Sequence, residues 1–168
     1  MPEITLELSE SSIDRAIEEL KEYQGKVKAL GKRLQEELAL EGGIMAAEFA
    51  PVDTGRLTSS IEVVDHGDEC EVVASVSDVY GHSYAAFVEF GTGVVGEGTY
   101  PYELADGYGY NDGFTPSAHE GDGWFFNDPR FGGMATYTEG QAAQPYMAPA
   151  AARMRQLEAE KAKEALRW

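Results

Sequence analysis

The longest regular pattern in the chain is an amphipathic one that covers about a quarter of the sequence. From an N-cap predicted at Ser11 or Ser12, apolar residues recur at three- and four-residue steps, which is the period of an α-helix. These apolar positions are Ile13, Ile17, Leu20, Val27, Leu30, Leu34 and Leu38. A stripe of this length needs a surface to pack on, which is either the chain's own sheet or a neighbouring subunit.

Shorter patterns lie on either side of this helix. Residues 4–8 alternate apolar and polar side chains, which predicts a half-buried strand. We expect Gly42-Gly43 to break or kink the long helix, which resumes briefly until Pro51. Near the end of the chain a second, weaker apolar stripe predicts another helix, and Pro149 suits its first turn.

Between the two helices the sequence predicts a compact core region. PVDTGRLTSSI is typical of a turn and a short helix capped by Asp53 or Thr54. IEVVDH and CEVVASVS alternate around Gly67-Asp68, which predicts an antiparallel hairpin. SYAAFVEF then has helical spacing and ends at Gly91. We therefore expect an α+β fold, with a long N-terminal amphipathic helix and a C-terminal helix packed on a small antiparallel sheet.

A single domain, 1–168, is predicted, with four parts: 4–50, 51–93, 94–140 and 141–168. The third part is a long loop insertion rich in glycine and aromatic residues, in which GWFF and MATYT predict a local hairpin. Aromatic side chains at this density favour contact with a partner or another subunit. The candidate contacts are Tyr100, Tyr102, Tyr108, Tyr110, Phe114, Trp124, Phe125, Phe126 and Phe131.

The charge balance narrows the classes of function. The chain has 30 acidic and 13 basic residues, a net charge of −17, which disfavours a grip on the phosphate backbone of DNA. The acidic residues could line a wall that repels passing DNA, or they could serve solubility alone. No apolar run is long enough for a membrane span, and the first residues do not resemble a secretory signal. Cys70 is the single cysteine, so it forms no internal disulfide.

A glycine motif at the end of the core region resembles a nucleotide-binding loop. Gly91, Gly93 and Gly96 spell G-x-G-x-x-G after an apolar run. Such a loop needs a phosphate-facing helix after it, whereas GEGTYPYE follows here with a proline too close to permit a helix. The sequence therefore favours glycines that permit positive φ at a helix exit, and we expect no cofactor.

Asp53-Thr54-Gly55 matches the catalytic turn of aspartic proteases, in which two aspartates share a proton. A homodimer could supply the second aspartate, so a homodimeric aspartic hydrolase is the alternative from another class. Pro51 before the triplet and Arg56 after it favour a structural turn instead. An Asp53→Asn variant separates the two, because it would abolish hydrolysis only in an enzyme.

Two other kinds of site have weaker sequence support. His66, His82 and His119 lack metal-ligand spacing, although His119 with Glu120 and Asp122 would form a weak cation site. We expect no bound metal and no catalytic residues. A free-standing binding module whose aromatic loop holds a small ligand is a further alternative, which a rise in thermal stability across a ligand panel would reveal.

Three sequence boxes occur in a specific order: A-P-V-D-T-G-R-L, then Y-A-A-F-V-E-F-G-T-G, then Q-P-Y-M-A-P-A. With the long helix before them, they resemble the head–tail joining proteins of long-tailed double-stranded DNA phages, described as neck, minor tail or tail-completion proteins. The residues that carry the resemblance are Pro51, Val52, Asp53, Thr54, Gly55, Leu57, Tyr84, Val88, Glu89, Phe90, Gly91, Thr92, Gly93, Pro145, Tyr146, Met147 and Pro149. The long segment between Gly93 and Gln144 departs from many members of that family.

The resemblance implies a structural virion protein and not an enzyme. It implies a homo-oligomeric ring at the neck, with six-fold symmetry favoured and twelve-fold possible, assembled in the host cytoplasm. The ring would contact adaptor or head-closure proteins on one side and tail-terminator or tail-tube proteins on the other. DNA would pass through its lumen without specific binding, and no membrane is involved. The alternative within this class is a tail-terminator or tail-completion protein that caps the tail tube.

Overall fold

The computed structural model describes residues 9–77, 83–104, 123–128 and 132–165, so the strand predicted at 4–8 lies outside the described residues. The arrangement is α+β, as predicted from the sequence. The elements in chain order are α1 (Glu10–Phe49), α2 (Arg56–Ser59), β1 (Ile61–Asp65), β2 (Cys70–Ala74), α3 (Ala85–Phe90), α4 (Gly93–Gly96), β3 (Trp124–Asp128), β4 (Met134–Thr138) and α5 (Met147–Ala165).

Helix α1 begins two or three residues earlier than the sequence suggested. Its N-cap is Ser9, not Ser11 or Ser12, and Ser9 has an extended backbone. The Ser9 hydroxyl oxygen accepts a hydrogen bond from the backbone N–H of Ser12 at 3.3 Å. The same N–H also donates to the Ser9 carbonyl at 3.1 Å, so this serine stabilises the first turn through both its side chain and its backbone.

The break predicted at Gly42-Gly43 is wrong, because α1 continues through both glycines to Phe49. A Cβ at position 42 would overlap the Met154 side chain of α5, and one at position 43 would lie 3.2 Å from Val63 Cγ2 in β1. The missing side chains therefore let α5 and β1 approach α1 closely. Packing against two elements offsets the cost of about 1 kcal/mol that each glycine brings to a helix.

Strands β1 and β2 form the predicted antiparallel hairpin, with Val63 opposite Val72 at its centre. Gly67 supplies the positive φ (91°) that the turn needs. The Asp65 carboxylate accepts a hydrogen bond from the Gly67 N–H at 2.7 Å. This bond, together with nearby Lys32, holds the pKa of the Asp65 carboxyl below its ordinary value.

The core lies between the C-terminal half of α1, the start of α5 and the elements between them. Helix α5 runs antiparallel to α1, since Lys161 pairs with Glu41 at 2.6 Å while the start of α5 packs beside the end of α1. The buried cluster is rich in small side chains, which permits close helix packing: Ala46, Ala50, Leu57, Val76, Ala85, Tyr146 and Ala150.

A second two-stranded sheet forms from β3 and β4, which confirms the hairpin predicted for GWFF and MATYT. Phe125 lies opposite Tyr137, and their ring centroids are 5.4 Å apart in an edge-to-face arrangement. Such a pair stabilises a short hairpin through cross-strand contact. The described strands thus form two separate sheets of two strands each, and not one continuous sheet.

The hairpin of β1 and β2 also marks where α1 leaves the body of the protein. Lys32 Nζ lies 3.4 Å from Asp65 Oδ2, and Gln35 Nε2 donates to the Asp68 carbonyl at 3.2 Å. We call residues 10–31, on the N-terminal side of these contacts, the arm. At about 1.5 Å per residue the arm is about 30 Å long.

Candidate functional site

The most concentrated set of hydrogen bonds in the core surrounds the carboxylate of Glu89, which is only 4% exposed. Its Oε2 accepts from the backbone N–H groups of Tyr146 at 2.7 Å and Met147 at 2.9 Å. Its Oε1 accepts from the Ala148 N–H at 3.0 Å and from the Tyr100 hydroxyl at 3.1 Å. A buried carboxylate is costly unless its oxygens are hydrogen-bonded, and here both oxygens have two donors.

Glu89 therefore caps helix α5 from a distance of more than fifty residues along the chain. The first N–H groups of a helix lack partners within it, and a negative charge is favourable at that end. Pro149, in the first turn as predicted, has no N–H and needs no acceptor. Glu89 belongs to the second sequence box, and the backbone N–H groups that it accepts from belong to the third. The two boxes thus meet at one carboxylate.

Tyr146 lies beside this carboxylate and is 1% exposed. Its hydroxyl donates a long hydrogen bond to the Ala85 carbonyl at 3.4 Å. Burial, and secondarily the negative charge of Glu89, raise the pKa of Tyr146 to about 12. The aromatic ring of the third box therefore fills the centre of the core.

The first box reaches the same core through Leu57, which is 6% exposed and belongs to the cluster around Tyr146. The cap predicted at Asp53 or Thr54 is wrong. The N-cap of α2 is Gly55, which has φ +75° and, without a side chain, provides no side-chain cap for the helix. Asp53 and Thr54 are exposed in the preceding turn. A hydrolytic role for Asp53 stays a hypothesis, which the Asp53→Asn variant tests.

The glycines of the G-x-G-x-x-G motif serve close backbone packing. Gly91 and Gly93 have φ of 82° and 61°, which confirms the prediction of positive φ at the exit of α3. A Cβ at Gly91 would lie 2.7 Å from the Ala143 nitrogen, and one at Gly96 would lie 2.8 Å from the Gly91 carbonyl carbon. Gly96 therefore packs closely on Gly91. The one-turn helix α4 (Gly93–Gly96) lies within the motif, and no helix follows it in residues 97–104, as the sequence predicted.

Backbone pairing ties this region to the third box. The Thr92 N–H donates to the Gln141 carbonyl at 2.9 Å, and the Gln141 N–H donates back to the Thr92 carbonyl at 3.1 Å. The Gln144 N–H donates to the Val88 carbonyl at 2.9 Å. Together with the hydrogen bonds of Glu89, these bonds join α3 and α4, before the aromatic insertion, to residues 141–148, after it. We call these joined segments and the buried cluster around Tyr146 the frame.

The aromatic residues predicted to contact partners fall into different environments. Tyr100 packs edge-to-face on Phe90 at 5.0 Å and Tyr102 at 5.5 Å, and its hydroxyl binds Glu89, so it belongs to the frame. Tyr102, Phe125 and Phe126 are exposed by 44%, 45% and 36%. Trp124 is placed in β3 opposite Thr138. Tyr108, Tyr110, Phe114 and Phe131 lie outside the described residues.

The arm has an exposed apolar surface. Four residues at helical spacing, which we call the stripe, form it: Ile13 (44% exposed), Ile17 (44%), Leu20 (53%) and Val27 (41%). The sequence predicted that such a stripe needs a surface to pack on. Ala16, beside the stripe on the arm, is 7% exposed, and on the C-terminal half of α1 the packing surface is supplied by α5 and the first hairpin.

An open groove of about 930 Å³ lies on the body of the protein. It is lined by α1 between Gln35 and Ala46, by β2, by α3 and by α5 up to Glu158. Its lining is mainly apolar and includes Leu38, Val72, Phe90, Met147, Ala151 and Met154. The single cysteine, Cys70, also lines it.

Among the described residues, no group of three or more His, Cys, Asp and Glu side chains is placed to hold a metal ion. His82, His119, Glu120 and Asp122 lie outside the described residues. None of the described helices is both long enough and apolar enough to cross a membrane.

A family model recognises a region that contains most of α1, the first hairpin and the second sequence box as far as Gly91. Residues 14–91 match the HK97-gp10-like family, described as "Bacteriophage HK97-gp10, putative tail-component". This match supports a tail- or neck-type structural component of a bacteriophage, and it confirms the resemblance to phage head–tail proteins. No curated protein and no solved structure matches the chain significantly.

The capping role of Glu89 is the feature that sequence reasoning missed. The sequence identifies Glu89 only as a residue of the second box, since no local pattern connects it to a helix that begins at Met147. Two signals in the sequence point to it. An acidic residue stands in an otherwise apolar segment, and no Ser, Thr, Asp or Asn immediately precedes α5 as a local cap.

Proposed function

We propose that this chain is a structural virion protein that forms a homo-oligomeric ring at the phage neck and joins the head to the tail. The observation that carries the proposal is the arm, a helix of about 30 Å with an exposed apolar stripe on a chain that matches a phage tail-component family. Exposed apolar surface of this kind marks a protein–protein contact. A catalytic role is not needed to account for any feature of the frame.

The arm and the body are two different surfaces of one chain. A contact between unlike surfaces is heterologous, and it closes into a ring when the rotation between subunits divides a full turn. We propose six subunits, to match the symmetry of a tail, with twelve as the alternative stoichiometry. Adaptor or head-closure proteins would bind one rim of the ring, and tail-terminator or tail-tube proteins the other. Assembly would take place in the host cytoplasm before the ring joins the virion.

The charge of the chain is consistent with DNA passing through the ring. A net charge of −17 on each subunit places strong negative potential around a lumen, which raises the energy of contact with phosphates. DNA would then move through without adhering. A density map of the assembled ring that shows a predominantly basic lumen would overturn this part of the proposal.

Native mass spectrometry and electron microscopy of the purified full chain test the ring directly. We expect a closed oligomer for the natural protein and a monomer for the double variant Ile17→Ser/Leu20→Ser. The matched control is Glu18→Ser/Glu22→Ser, which changes exposed residues of the arm outside the stripe and should leave the ring intact. A natural chain that stays monomeric and never joins a particle contradicts the proposal.

The matched family is described as a tail component, which favours a second candidate of the same class, a tail-terminator or tail-completion protein that caps the tail tube. Binding to separated particles distinguishes the two positions. A neck ring should bind to filled heads that lack tails and also to complete tails. A tail-terminator should bind only to tails, and it should already be present on tails assembled in the absence of heads.

A further inference from the structure

We propose that the stripe of one subunit docks into the groove of the next, so that the groove is completed by the arm of a second copy of this chain. This inference rests on the proposed self-assembly and names the two surfaces that would form its repeating contact. Both surfaces are apolar, and they lie on different parts of the same chain. Neither is filled by the described residues.

The two surfaces have matching lengths. At about 1.5 Å per residue, the stripe from Ile13 to Val27 is about 21 Å long, and the α5 wall of the groove from Tyr146 to Glu158 is about 18 Å long. The occupant also has the right form. A helix with apolar residues every three or four positions is the natural ligand of an apolar groove between other elements.

Charge favours a second copy over an unrelated acidic partner. The arm carries four basic and five acidic residues, whereas the whole chain carries 13 basic and 30 acidic. The arm thus carries little of the chain's net negative charge and can approach the acidic body without strong repulsion. Besides the buried Glu89, three exposed glutamates line the groove together with Arg155: Glu69, Glu71 and Glu158. Lys21 and Lys28 lie seven residues apart on one edge of the stripe, where they can face those carboxylates.

The geometry of the contact also explains why the arm does not fill its own groove. The groove is partly built from α1 itself, and the arm continues the same helix away from the body. A straight helix cannot fold back on its own C-terminal half. The stripe therefore reaches such a groove only in another subunit, and every subunit both donates an arm and accepts one.

Cys70 permits a direct test, because it is the single cysteine and lines the groove. Cysteine is introduced singly at Ile13, Ile17, Leu20 or Val27 in the full chain, and disulfide formation is followed on non-reducing gels. Burial and nearby carboxylates raise the pKa of the Cys70 thiol, so the oxidation is run at alkaline pH. Glu22→Cys, on the far side of the arm, is the matched control.

We expect at least one stripe position to give a ladder of dimers, trimers and larger species, since each chain has both a donor and an acceptor thiol. That ladder should form roughly ten-fold faster than with Glu22→Cys, because a disulfide needs Cα atoms within about 7 Å. The Cys70→Ser background should abolish it. Dimers that persist in that background would show arm-to-arm pairing and overturn the inference.

The result also separates this inference from the proposed ring. A closed ring by native mass spectrometry with no Cys70-dependent cross-link at any stripe position overturns the docking contact and leaves the ring standing. A chain that neither oligomerises nor cross-links overturns both. A Cys70-dependent ladder that never closes into a ring supports the contact and counts against the neck ring.

Discussion

The two halves of α1 belong to the same helix but differ in what packs on them. On the C-terminal half α5 and the first hairpin cover one face, where Ala46 is fully buried, while Leu40 of the same half is 59% exposed. The N-terminal half continues the apolar spacing, yet Leu20 there is 53% exposed. The covered half contributes to the stability of the folded chain, whereas we propose that the stripe of the arm is covered by a second subunit. Substitutions in the frame should therefore unfold the protein, and substitutions in the stripe should prevent its assembly.

The largest effect on stability is expected from Glu89→Ala. This change removes the acceptor of three backbone N–H groups and one hydroxyl, all in or beside the core. Leaving such donors buried without partners should lower the free energy of unfolding by about 3 kcal/mol. Urea denaturation followed by circular dichroism measures this loss.

Two further variants show whether the loss comes from the cap. Glu89→Gln keeps the shape but turns one acceptor oxygen into a donor, so we expect roughly half of the loss. Glu97→Ala removes an exposed glutamate beside α4 and should change stability by less than about 0.5 kcal/mol. Equal effects of Glu89→Ala and Glu97→Ala would contradict a capping role for Glu89.

The next largest effect concerns the pH dependence of stability near Tyr146. The pKa of this hydroxyl is raised from the ordinary 10 to about 12 in the folded chain. Between these values the unfolded chain releases the proton first, so the free energy of unfolding falls as pH rises. By about pH 12 the loss reaches about 2–3 kcal/mol.

Urea titrations at a series of pH values between 8 and 12 measure this slope (about one point per half unit). The Tyr146→Phe variant keeps the ring but has no proton to lose, so its stability should fall less steeply over the same range. Parallel slopes for the natural chain and Tyr146→Phe would show that other groups govern unfolding by base.

Local patterns predicted most of the frame. The hairpin followed from strand alternation around Gly67-Asp68, and the short helix before Gly91 followed from apolar spacing and a C-terminal glycine. The sequence also predicted the apolar stripe on α1 and its need for a surface to pack on. These features depend on contacts between residues close in sequence, and such contacts leave a periodic signature.

The errors arose where a distant contact overrides the local preference. Gly42 signals a helix break on its own, but Met154 from α5 occupies the space that a side chain would take. Asp53 and Thr54 are good caps by residue type, yet the chain uses Gly55 in a left-handed conformation. Glu89 caps α5 through a contact that spans 57 residues or more. No window of local sequence encodes such pairs.

Two glycines of α1 offer a smaller, matched comparison between frame and arm. Gly31→Ala places a methyl group in open space and should raise the free energy of unfolding by about 0.5–1 kcal/mol, through helix propensity alone. Gly42→Ala has the same propensity gain but displaces the Met154 side chain. We expect it to be at least about 1 kcal/mol less stable than Gly31→Ala. Equal stabilisation by both would show that α5 does not pack tightly on α1.

The smallest effect on folding is expected from the stripe, and it separates stability from assembly. At dilutions at which the proposed assembly dissociates to monomers, Ile17→Ser and Leu20→Ser should each change the free energy of unfolding by less than about 0.5 kcal/mol. Serine and isoleucine have similar helix propensities, and both side chains are largely exposed. The midpoint of thermal unfolding should rise with protein concentration for the natural chain, because association stabilises the folded state by mass action. That rise should vanish in the stripe variants. A loss above about 1 kcal/mol in the dilute monomer would instead place the stripe within the fold of a single chain.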